Sequence, residues 1–164
     1  MIDVYFRRPL IWDYTLSFVI TAITFRLYQI NVVFFPKEEY IWSMDSDLST
    51  ISLTLAGFIL TLVTVLITFK SASKIKKNSD LEDESIFNVF FATSLYFETV
   101  RHLKNCIRSL VCVSVLGYLL KLFLNNCDNQ YIYFFDVFGV IIIALTIWRT
   151  LLILTKIINL QKQE

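Results

Sequence analysis

Apolar residues gather into four long runs, parted by polar stretches and closed by a short polar tail. The runs cover 11–35, 50–69, 106–124 and 131–154. Crossing a hydrocarbon core takes about 20 predominantly apolar residues in a helix, and each run is of that order. In lipid a spanning segment must satisfy its own backbone hydrogen bonds, which a helix does. The pattern predicts an all-α membrane protein with four transmembrane helices, forming a single membrane domain over 1–164.

The polar stretches predict where the helices stop. Asp13 and Arg26 interrupt the first run, and Pro36 is placed to end it, since proline and the residue before it both resist helix continuation. The stretch 37–47 reads as an acidic loop, with Glu38, Glu39, Asp45 and Asp47 against Lys37, and Tyr40 and Trp42 as interface aromatics. The stretch 125–130 is a short polar turn joining an antiparallel helical hairpin. Tyr131, Tyr133, Phe134 and Phe135 then open the fourth run as an aromatic belt, with Trp148 near its other end.

The second run is the one the others are expected to pack around. It carries no charge, and Thr50, Thr54, Gly57, Thr61, Thr64 and Thr68 step along it by four and three residues. On a helix that spacing makes one stripe of small and hydroxyl residues, close to the 3.5-residue repeat of a left-handed crossing. A packing seam is one reading, because helices in lipid associate through small residues and interhelical hydrogen bonds. A pore lining, with several copies around an axis, is the second. Hydroxyls bonded back to their own helix carbonyls are the third.

Residues 70–105 form a predicted cytoplasmic segment. Lys70, Lys74, Lys76 and Lys77 are followed by Asp80, Glu82, Asp83 and Glu84. Ser79 with Glu82 fits a capping box, so a helix is expected to start near Asp80. Two arrangements suit the residues after it. A cytoplasmic extension of the third helix runs unbroken to Leu124, or 80–98 lies on the membrane as an amphipathic helix. Orientation is set by the basic residues. Arg7, Arg8, Lys70, Lys74, Lys76, Lys77, Arg101, Lys104, Arg108, Lys156 and Lys162 fall on one side, and Lys37 on the other. The positive-inside rule makes both termini and the central loop cytoplasmic.

Composition agrees with the runs: 56% of residues are hydrophobic, 16% aromatic and 18% charged, where a soluble domain carries about 25% charge. A net charge of +1 gives no field for direct nucleic-acid binding. Cys106, Cys112 and Cys127 have neither disulfide nor metal spacing and read as small buried hydrophobes plus one loop thiol. His102 is the single histidine and sits one turn after Glu98, which favours an intrahelical contact. No nucleophile elbow, P-loop or zinc motif surrounds it. No catalytic residue, metal site or cofactor is expected.

Charges within membrane runs are costly and so become candidates for function. Arg26 lies about 14 Å below the outer end of the first run and needs a partner, a wet cavity or a snorkelling path. Lys121 and Asp136 come to similar depth across the hairpin and are expected to pair. Arg149 and Asp13, both near the inner face, read as an interface pair or a headgroup contact. The basic run suits anionic lipid. Acidic Glu82, Asp83 and Glu84 beside Phe87 and Phe90 offer a docking surface for a soluble cytoplasmic protein.

The four crossings, the charged cytoplasmic loop, and Ala56, Gly57 and Phe58 within TLAGFILTLVT make the chain resemble small membrane proteins of bacterial anti-phage defence. The membrane subunit of Kiwa-type defence is similar in size and layout, as are the membrane accessory proteins of type VI-B CRISPR loci. The resemblance implies a homo-oligomer in the inner membrane with a soluble partner, sensing infection or altering permeability. RNA-cleaving HEPN domains place an Arg a short way upstream of a His. The matching positions here are Leu95, Tyr96 and Phe97, so that motif is absent, which argues against the HEPN-like CRISPR-linked pores. A small channel or transporter unrelated to defence, and a non-conducting anchor, are the alternatives.

Overall fold

The computed structural model describes residues 9–34, 36–76, 94–124 and 129–161. They form four helices: α1 (Pro9–Gln29), α2 (Glu38–Lys76), α3 (Ser94–Phe123) and α4 (Asn129–Gln161). Each is long and apolar enough to cross a membrane. The chain is thus an all-helical, multi-pass membrane protein by length and composition.

The helix ends differ from the predicted ones, for local reasons. α1 stops at Gln29, well before Pro36. Asn31 turns into the left-handed region with φ 56°. The Asn31 N–H then donates to Tyr28 O at 2.9 Å, and the Val32 N–H to Leu27 O at 3.0 Å. That pair of bonds is the Schellman pattern, which satisfies the last carbonyls and stops the helix. Asparagine tolerates this conformation better than most residues with a Cβ. Pro9 opens α1, where its missing N–H costs nothing.

α2 is the longest helix, 39 residues, or about 58 Å. The stretch read as an acidic loop is its first three turns. The reason lies on its inner face. Ile41, Asp45, Leu48, Ser49, Ser52, Ala56, Ile59 and Val63 are all buried and recur at helical spacing. The face continues upstream of residue 50, but three of its members are polar, so a search for apolar residues loses it there. At the other end α2 continues to Lys76.

α3 is helical from Ser94, well ahead of the apolar run that begins at 106. Arg101, Lys104 and Arg108, placed by the sequence before or at the start of the membrane run, lie within this helix and are exposed. The predicted start of the cytoplasmic extension near Asp80, with its Ser79–Glu82 box, falls outside the described residues, as does Cys127. Lys70 of α2 does not simply face lipid headgroups. Its ammonium sits 4.0 Å from the Tyr96 ring centroid and 3.8 Å from that of Phe97. This cation–π contact joins the end of α2 to the start of α3.

α4 packs against all three other helices, and α2 packs chiefly on α3 and α4. The helix the others surround is therefore α4 and not the threonine-striped α2. α1 is peripheral and leans mainly on α4. The apolar core joins Leu48, Ala56, Ile59 and Val63 of α2, Leu103, Leu110 and Val113 of α3, and Ile142, Ile143 and Ile153 of α4. Between helices in lipid, close packing takes the place of the hydrophobic drive. Gly139 is one place where this is tight. A Cβ there would lie 2.6 Å from Leu48 Cδ2 and 3.2 Å from Val113 Cγ1. Phe18, Phe58, Leu122, Phe123 and Trp148 face outward, where acyl chains accept them without penalty.

Candidate functional site

Two polar centres are buried inside the bundle, towards opposite ends of α4. The first surrounds Arg149, which is wholly enclosed. Its Nη1 donates to Asp13 Oδ2 at 2.6 Å. Its Nε and Nη2 both donate to Cys106 Sγ, at 3.3 and 3.2 Å. Thr150 Oγ1 donates to Thr146 O at 2.8 Å and lies 3.8 Å from the same sulfur. The pairing of Arg149 with Asp13 is as the sequence suggests, but its place is not. It sits in the interior, where it ties α1 to α3 and α4, and not at the lipid interface. Tyr14 and Ser109 share a hydrogen bond of 3.1 Å alongside, between α1 and α3. Opposite charges with matched donors make this centre a structural clasp.

Cys106 is buried as expected, yet it is more than a small hydrophobe, since it accepts from the guanidinium. His102 is also buried, one turn earlier on α3. Arg101, Arg149 and Glu98 are the charges that act on it.

The second centre is built differently. Asp45 of α2 and Asp136 of α4 are both essentially inaccessible. No N–H or O–H of the described residues reaches any of their four oxygens. The two side chains face each other across α2 and α4, one turn before the contact of Leu48 with Gly139. Ser49, one turn after Asp45, donates to Ser114 O at 3.4 Å. Gly117 of α3 makes the room. A Cβ on it would fall on Ser49 Oγ and lie 2.9 Å from Asp45 Oδ1 and 3.4 Å from Phe135. A glycine is needed here for the absence of a side chain, with ordinary helical backbone.

The expected Lys121–Asp136 pair is not formed. Lys121 is exposed, and neither carboxyl oxygen of Asp136 meets a partner among the described residues. The charge of Lys121 acts on Asp45 from a distance. Helical phase explains the difference. Asp136 shares the inward face of α4 with Ile132 and Gly139, while Lys121 shares the outward face of α3 with Leu122 and Tyr118. Equal depth does not make two side chains face each other.

Arg26 is also placed differently from expectation. Because α1 ends at Gln29, Arg26 lies in the last turn, exposed, with Nη1 donating to Gln29 Oε1 at 3.3 Å.

The α2 stripe lies on the side of the helix away from the core. Thr50, Thr54, Gly57, Thr61, Thr64 and Thr68 are all exposed. Each threonine spends its hydroxyl proton on a carbonyl of its own helix. Thr50 donates to Ser46 O, Thr54 to Thr50 O and Thr61 to Gly57 O, each at 2.8 Å. Thr64 donates to Leu60 O and Thr68 to Thr64 O, each at 3.0 Å. Gly57 has nothing within 4 Å of where a Cβ would stand. Within one chain the stripe is therefore not a packing seam, and the back-bonded reading describes it.

Glu82, Asp83, Glu84, Phe87 and Phe90, the predicted docking residues, lie outside the described residues. Among the described residues no group of histidine, cysteine and carboxylate side chains is arranged to hold a metal ion. Asp45 is the residue that sequence reasoning missed, because it was assigned to a loop. Its spacing of four and seven from Ser49 and Ser52, on the face of Leu48 and Ala56, is the signal that finds it. Compared against protein-family models, curated proteins and solved structures, the chain matches none.

Proposed function

We propose that this protein is a non-catalytic membrane subunit that assembles with copies of itself through the outer face of α2. The observation that carries this is the stripe. Six small or hydroxyl positions form one continuous strip on the outside of α2, with Gly57 open and the hydroxyl donors already satisfied. Such a strip is poor at filling space against acyl chains and well suited to close approach of another helix. The seam expected inside the chain thus lies between chains. Satisfied donors favour a dry helix contact over a wet pore wall.

In this reading the assembly lies in the bacterial inner membrane, as the resemblance to anti-phage membrane proteins implies, with both termini cytoplasmic by the positive-inside rule. There it senses infection or alters permeability together with a soluble protein. Glu82, Asp83 and Glu84, with Phe87 and Phe90, are the docking residues in this reading, and the basic run near Lys70 contacts anionic lipid. Assembly size in mild detergent tests the core of it. Gly57→Leu with Thr61→Leu should leave a folded monomer, since neither position meets the core, and should reduce the assembly. Unchanged assembly would remove the α2 face from consideration. Phage plating of cells carrying the same variant then tests the defence role.

A second reading, a small channel or transporter unrelated to defence, is favoured by the enclosed Asp45–Asp136 pair. Ion flux in liposomes that survives loss of assembly would support it.

A further inference from the structure

We infer that Asp45 and Asp136 form a proton-binding site, a carboxyl dyad that holds one proton between α2 and α4 and so keeps that end of the bundle closed. The dyad is independent of assembly through the outer face of α2.

Hydrogen-bond donors set the two polar centres apart. A carboxylate inside a membrane bundle must meet a cation or accept hydrogen bonds, because water is not there to solvate it. Asp13, at the other centre, does this with Arg149 at 2.6 Å. Asp45 and Asp136 do not. Both are buried to 1% exposure or less, and among the described residues none of their oxygens meets a donor. Yet the two groups face each other: Leu48 of α2 lies against Gly139 of α4, and Asp45 and Asp136 each stand one turn before that contact. Two ionised carboxylates have only acceptors, so no bond joins them. Add one proton and the same geometry becomes a short O–H···O bond with a single, shared negative charge. The pair then titrates as a unit and not as two separate acids.

The surroundings are shaped for this and not for a bulkier ligand. α3 offers a glycine, Gly117, where a Cβ would lie 2.9 Å from Asp45 Oδ1 and fall on Ser49 Oγ. α2 offers the hydroxyls of Ser49 and, one turn deeper on the same face, Ser52. Ser52 Oγ is buried with no partner among the described residues. Lys121 of α3, itself exposed, is the basic residue whose charge acts on Asp45. From α4 the titratable group facing Asp45 is Asp136 itself.

Placement gives the dyad a mechanical consequence. Asp45 lies about two turns into α2, and Asp136 about two turns into α4. Loss of the shared proton sets two anions against each other, with no donor among the described residues to separate them. α2 and α4 must then part at this end, admitting water. The dyad is a latch closed by a proton.

Infrared difference spectroscopy of the full chain in lipid nanodiscs tests this on the wild type itself, where misfolding of a variant plays no part. At neutral pH the wild type should show the carbonyl stretch of a buried, protonated carboxylic acid, lost on alkaline titration. Asp45→Asn and Asp136→Asn should each remove that band. Their thermal midpoints should stay flat from neutral to alkaline pH, while that of wild type falls. No protonated-carboxyl band in the wild type at neutral pH would overturn the assignment. So would a band that survives both substitutions, or an alkaline destabilisation that persists in both. A midpoint raised by sodium but not by potassium, with no band present, would replace the proton by a metal cation and equally overturn it.

Discussion

Both faces of α2 carry polar residues and treat them in opposite ways. On the outer face, each threonine of the stripe closes a bond to its own helix, at 2.8 to 3.0 Å. On the inner face, Asp45 has no such option, since a carboxylate carries no donor and a helix carbonyl is an acceptor. It must look across to α4. Hydroxyls can therefore be set towards lipid at little cost, whereas a carboxylate commits two helices to each other. In a membrane, the chemistry of the polar group decides whether it is a local or a long-range constraint.

The sharpest test of this contrast removes a long-range partner where the charges match. Arg149→Met leaves Asp13 buried without its guanidinium and Cys106 without its donors. The cost should be about 3–5 kcal/mol, read as lost yield and thermal stability in detergent. Asp13→Asn added to it should recover part of that loss, and strict additivity would show that the pair is not coupled. Next comes the clearance at Gly117. Gly117→Val drives side-chain atoms into Ser49 and Asp45 and should cost about 1–3 kcal/mol. The same Gly→Val change at the open Gly57 should cost the monomer nothing, since no atom stands in the way and valine is the better helix former of the two.

Smaller effects lie on the outside. Thr61→Val deletes a hydroxyl already spent on its own helix and should move monomer stability by less than about 0.5 kcal/mol. At the small end is Lys121→Met, combined with Asp136→Asn in a double-mutant cycle. The two should add within about 0.5 kcal/mol, because the side chains do not meet. A coupling well above that would restore the hairpin ion pair.

How much of the fold and the site is legible in the sequence depends on what each residue must do. Four crossings are plain, because lipid tolerates little else over such apolar lengths. The stripe is legible as a pattern, since Thr50 to Thr68 keep one phase. Its direction is not, because a sequence does not say which face a helix buries, and two faces of α2 have claims. The end of α1 is misplaced at Pro36, a strong helix breaker. Asn31 acts first, through a left-handed turn that asparagine allows but does not announce. The Arg149–Asp13 pair is visible from depth alone. Lys121–Asp136 fails on the same reasoning, since depth sets one coordinate and helical phase the other. Asp45 is hidden by its acidic neighbours Glu38, Glu39 and Asp47, which together look like a loop.

Assembly through the outer face of α2 is the claim on which the functional account rests, and disulfide cross-linking in native membranes tests it directly. Cys112 and Cys127 are replaced by serine, and Cys106 is kept because it serves Arg149. Single cysteines are then introduced by Thr54→Cys, by Thr61→Cys, and by Trp148→Cys on the outward face of α4. Mild oxidation should give covalent dimers at positions 54 and 61 and none at 148. Equal cross-linking at all three positions, or dimers only at 148, would contradict the account.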